Sequence, residues 1–101
     1  MRTVEYVIPL GENARKRHYH KSRAGKVAAF VVQLEVFDKG EWQVVIRYDS
    51  AHGFAHIDHY SRSGRKTKKP IDLELTEALT VAEEDIKDNW KAYQKAFWKD
   101  R

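Results

Sequence analysis

Asp49, His52, His56, Asp58 and His59 fall within eleven residues, inside the run from Arg47 to Tyr60. Imidazole is the side chain whose unperturbed pKa, about 6.5, lets it take and give a proton near neutral pH. Phosphodiester cleavage without a metal needs a base for the 2'-hydroxyl, an acid for the leaving oxygen and cations on the phosphate. His52 and His56 suit the acid and base roles, with Tyr48 as a further proton donor. Asp58 or Asp49 would orient an imidazole, and Arg47, Lys68 and Lys69 would hold phosphate.

The same run offers H-x3-H-x2-H at His52, His56 and His59. That spacing suits a helix, whereas on a strand His56 and His59 point to opposite faces. The three histidines therefore do not converge on one ion without a bulge. His56 with Asp58, joined by His52 or Asp49, is the remaining arrangement for a metal. The expectation is no metal and no cofactor. Asp49 and Gly53 also have turn chemistry, a side-chain cap and an unusual backbone angle, and serve equally well to shape a loop.

A second group lies at residues 11–26, where Arg15, Lys16, Arg17, Lys21, Arg23 and Lys26 face only Glu12. His18-Tyr19-His20 interrupts these cations. Cations hold phosphates and an aromatic ring stacks on a base, so Arg15, Arg17 and Lys21 are candidate nucleic-acid contacts. Without apolar periodicity this segment reads as a basic arm outside regular structure. A further basic group follows at Arg65, Lys66, Lys68 and Lys69, and the net charge is +4. Such asymmetry favours a polyanion or an acidic partner.

These groups need elements to position them. Val4, Tyr6, Ile8 and Leu10 alternate along a first strand. Val27 to Asp49 reads as a hairpin around Asp38-Lys39-Gly40. A three-residue loop there sets Val36 opposite Trp42, Leu34 opposite Val44, Val32 opposite Ile46 and Phe30 opposite Tyr48. Phe54 to Pro70 reads as a second hairpin around Ser63-Gly64, with Asp58 across from Lys69 and Tyr60 across from Thr67. Pro70 belongs at a sheet edge. Alternation puts His56, Asp58 and Tyr60 on one face and Ile57 and His59 on the other. Thr76 is a fitting N-cap for a last helix, whose stripe is Leu79, Ala82, Ile86, Trp90, Tyr93 and Phe97. Trp98 lies beside that stripe.

The expected fold is α+β, one domain over residues 1–101, in which an antiparallel meander of four to five strands packs on one long C-terminal helix. The chain has 101 residues, about one domain. With no cysteine it has neither disulfides nor thiolate metal sites. No apolar run approaches the roughly 18 residues of a membrane helix, and no apolar signal core opens the chain, so a cytoplasmic protein is expected.

The stretch Val45 to Asp58, with Glu77-Ala78-Leu79 and Asp85 to Trp90, resembles a family of short uncharacterised prokaryotic proteins with the pattern R-Y-D-x-A-H-G-x-x-H-x-D. The likeness covers roughly residues 27–97 and implies no activity. More distantly, Tyr48-Asp49-Ser50-Ala51-His52 and His56 resemble the Y-D-N-A-x-x-x-x-H pattern of TumE-like toxin subunits, with Ser50 in place of asparagine. That resemblance implies an activity on nucleic acid and an antitoxin partner. The expectation is thus a nucleic-acid-directed protein, most simply RNA-directed, either a metal-independent ribonuclease of toxin type or a non-catalytic binding or adaptor module. A homodimer is a further expected partner.

Overall fold

A computed structural model describes residues 1–100. The elements run β1 (Arg2–Gly11), β2 (Ala14–Arg23), β3 (Lys26–Asp38), β4 (Glu41–Asp49), a 3-10 turn (Ala51–Gly53), β5 (His56–Tyr60), β6 (Lys66–Pro70) and α1 (Leu75–Lys99). The strands form one antiparallel sheet in the order β1-β2-β3-β4-β5-β6. The α+β meander on a C-terminal helix is as expected, with six strands rather than four to five.

The added strand is β2. Residues expected as an arm pair with β1 on one side and β3 on the other. The turn Ala24-Gly25 has both residues at positive φ, 51° and 78°, the twist that joins adjacent antiparallel strands through two residues. Lys39-Gly40 does the same at 53° and 82°. This corrects the β3–β4 register: the loop is two residues long, so Asp38 pairs with Glu41 and Phe37 with Trp42. The register then shifts between Leu34 and Glu35, after which Leu34 pairs with Ile46 and Val32 with Tyr48. Trp42 is thereby turned away from the helix and meets Phe37, with ring centroids 5.3 Å apart. Val45, the extra residue at the shift, is buried.

Proline marks both edges. Pro9 lies in β1 and Pro70 in β6, the two outermost strands, where a missing N–H breaks no ladder.

α1 packs on one side of the sheet. Ala78, Ala82, Ile86 and Phe97 are buried against Phe30, Val32, Leu34, Val36, Ile46, Tyr48 and Ile57. Trp90, Tyr93, Leu75 and Leu79 border this core. Leu34, Phe30 and Ile46 are among the largest fully buried side chains, and truncating one such residue to alanine costs about 2–5 kcal/mol. Helix entry differs from expectation. α1 starts at Leu75 with Glu74 at the N-cap, and the Thr76 hydroxyl instead accepts the Val27 N–H at 3.2 Å. Glu77 in the first turn and Lys99 in the last complement the helix dipole.

Candidate functional site

The sheet has one side under α1 and one side that no helix covers. Strand alternation and register assign the residues to each. On the open side Arg15 and Arg17 of β2 lie across from Glu35 and Gln33 of β3, and Arg47 lies between Gln33 and Asp58. Asp49 lies across from His56, Asp58 across from Lys68, and Tyr60 across from Lys66.

Asp49, His56 and Asp58 form the centre of this side. Their ligating atoms lie within 4.8 Å of one another. The Asp49 carboxylate meets Nε2 of His56 and also accepts the Ala51 N–H at 3.2 Å, so it shapes the following turn as well. His52 and Gly53 turn the chain back through left-handed backbone, at φ 69° and 84°. His56 is 1% exposed and Asp58 2%. Nδ1 of His56 and Oδ1 of Asp58 are buried without a hydrogen-bond partner among the described residues. Leaving such an atom unsatisfied costs about 1–3 kcal/mol.

Cations and rings surround this centre. Arg15 donates to Glu35 at 2.5 Å and lies over the Trp42 ring at 4.1 Å. Arg17 donates to the same carboxylate at 3.0 Å, and Gln33 also donates to it. Arg47 donates to Gln33 at 2.9 Å, and its guanidinium lies 5.8 Å from the Tyr60 ring centroid. Lys66 approaches the same ring. Burial opposes the charge on Glu35, but hydrogen bonds from Arg15, Gln33 and Arg17 outweigh it and hold its carboxyl below the usual range. The guanidinium groups of Arg15, Arg17 and Arg47 are therefore fixed in place. Among the described residues Asp58 forms no ion pair with Arg47 or Lys68, although both flank it.

Several expected members lie elsewhere. Tyr48 faces α1 and donates to Asp85 at 2.5 Å, away from Asp49 and His56. The hydroxyl of Tyr93 and the amide of Asn89 also donate to Asp85. Burial first, and Asp85 second, push the Tyr48 phenol well above its ordinary value. Lys69 pairs with Ile57, and Lys68 rather than Lys69 lies across from Asp58. The cause is a longer loop: Ser61 N–H donates to the Arg65 carbonyl, and pairing starts at Tyr60 and Lys66. His59 faces α1, 6.4 Å from the Tyr93 ring. His52 is exposed in the turn. Lys21 is on the open side, across from Ala29.

Glu83 was not expected to matter, yet it gathers a second cluster on the helix side. Its carboxylate accepts from Lys16 and binds Nδ1 of His18, whose Nε2 lies 2.7 Å from Nδ1 of His20. Tyr6 stacks on His18 with centroids 4.5 Å apart. Burial first, then the neighbouring His18 and Arg2, lower the His20 pKa. The alternation of Lys16, His18 and His20 was visible, but only a strand assignment for β2 turns it toward a helix. This cluster ties β2 to α1.

The class defined here is an α+β domain whose meander carries α1 on one side and a charged, helix-free site on the other. The chain belongs to the DUF7718 family, a domain of unknown function whose model matches residues 1–101. Neither a curated protein nor a solved structure matches it. Among the described residues no helix is long and apolar enough to cross a membrane.

Proposed function

We propose that the helix-free side of the sheet binds single-stranded nucleic acid, with RNA the favoured partner. One observation carries this reading. Arg15, Arg17, Lys21, Arg47, Lys66 and Lys68 share that side with Tyr19 and Tyr60. An antiparallel sheet that presents rings for stacking beside cations for phosphates is a surface suited to unpaired bases. The fixed guanidinium groups lose little freedom on binding. The resemblance to TumE-like toxin subunits supports the same class of target.

Binding is favoured over metal-free cleavage. His56 is almost fully enclosed, His52 is exposed in the turn, and Tyr48 faces α1. An acid and a base that do not flank one accessible point cannot share a phosphodiester. The proposal includes a protein partner, an antitoxin or a second copy of the chain, at β1. This edge strand presents Tyr6, Val7 and Ile8 in exposed positions, and an unpaired strand edge accepts another strand.

The test is titration of fluorescent single-stranded RNA at several salt concentrations. Affinity that falls steeply with salt supports the proposal, and a flat response or no binding contradicts it. Cleavage of that RNA in EDTA, lost in His56→Ala, would favour the ribonuclease instead.

A further inference from the structure

We infer that Asp49, His56 and Asp58 form a binding site for a first-row divalent metal ion, of the Mn2+ or Zn2+ type. This goes beyond nucleic-acid binding and stands whether or not RNA is bound.

The three residues meet because of register. Asp49 closes β4 directly across from His56, and Asp58 follows His56 by two residues on the same side of β5. Their donor atoms, one from each residue, lie within 4.8 Å of one another. Ligands bonded to one ion at about 2.1 Å lie about 3 Å apart. Asp49 contacts Nε2 of His56 while Nδ1 is the unpartnered nitrogen among the described residues, so the set closes on one ion when the His56 ring turns to bring one nitrogen between the two carboxylates.

Two features point to an ion. First, Nδ1 of His56 and Oδ1 of Asp58 are buried and have no hydrogen-bond partner among the described residues. Native interiors satisfy such atoms, and an ion is one occupant able to satisfy them. Second, the charge is unbalanced. Two carboxylates surround one imidazole, and among the described residues neither flanking cation, Arg47 nor Lys68, forms an ion pair with Asp58. Enclosed carboxylates need a paired charge or a metal. One imidazole nitrogen with two carboxylates suits Mn2+ or Zn2+, whereas Mg2+ and Ca2+ prefer oxygen throughout. The Asp49 side chain, 14% exposed, provides the entry from the turn.

The experiment uses the full chain stripped with EDTA. Mn2+ or Zn2+ is titrated by calorimetry, and Mn2+ broadening is mapped on the amide NMR spectrum. The expected result is one ion per chain, with broadening centred on residues 49 and 56–58. Asp58→Asn, which keeps the side chain's shape, weakens binding by at least about tenfold, while His52→Ala and His18→Gln leave it unchanged. The inference is overturned if the wild-type chain binds neither ion at millimolar concentration. It is also overturned if Asp58→Asn binds as tightly as wild type, or if broadening centres on His18 and His20. Should His56→Ala fail to fold, Asp58→Asn and the wild-type map still decide.

Discussion

Asp49 and His56 are register partners on β4 and β5, and the carboxylate of one meets Nε2 of the other. The same carboxylate accepts the Ala51 N–H, so one side chain both holds an enclosed imidazole and fixes the turn that follows β4. Asp49 thus shapes the loop while its carboxylate contacts an enclosed imidazole.

Asp49→Ala therefore removes a partner from enclosed His56 and releases the turn. A loss of about 1–3 kcal/mol in urea unfolding is expected. A change below about 0.5 kcal/mol, the range of ordinary surface substitutions, would contradict this role.

Tyr48 and Tyr93 donate to Asp85, and both phenols are raised, first by burial and then by that hydrogen bond. In the unfolded chain they ionise near pH 10.0. Their contribution is intact below that pH and is lost as pH rises above it, because the unfolded state releases protons that the folded state retains. Stability measured from pH 8 to about pH 11 should fall on the alkaline side, and less so in Tyr48→Phe. An equal fall in the two proteins would refute the assignment. Tyr48→Phe should leave RNA affinity unchanged, since its hydroxyl faces α1.

Glu35 lies between Arg15, Arg17 and Gln33, which hold its carboxyl below its ordinary value of 4.5. Its contribution is present above that value and declines as pH falls through the lower folded-state value. Glu35→Gln should flatten the acid limb of the stability curve and lower stability at neutral pH. The same acid limb in the variant would show that the carboxylate does not anchor the two guanidinium groups.

The α+β class, the apolar stripe of α1 and the face shared by His56, Asp58 and Tyr60 were legible in the sequence, because each rests on a period that burial enforces. β2 was not. One of its faces, Arg15, Arg17, Tyr19 and Lys21, is on the helix-free side, and the other, with Lys16 and His18, meets α1 through Glu83. Neither face of β2 shows apolar alternation, since its inward contact is ionic. The register near Trp42 differs from the three-residue-loop expectation because Lys39 adopts a left-handed angle ordinarily left to glycine, asparagine or aspartate, which shortens the loop by one residue. The shift at Val45 then restores Ile46 and Tyr48 to the helix side. Convergence of Asp49 with His56 and Asp58 was visible only as one of several arrangements, because it depends on where β5 starts.

Adjacent lysines on β6 offer the most direct test. Lys68 shares the helix-free side with Asp58, while Lys69, across from Ile57, belongs to the other. Both are exposed, so neither substitution should perturb the fold. Single-stranded RNA affinity is measured against salt for wild type, Lys68→Ala and Lys69→Ala. Lys68→Ala should weaken binding and reduce the magnitude of the slope of log K against log salt by about 0.7, one phosphate contact on a single strand. Lys69→Ala should match wild type. Equal losses in the two variants, or a loss confined to Lys69→Ala, would contradict a nucleic-acid site on the helix-free side of the sheet.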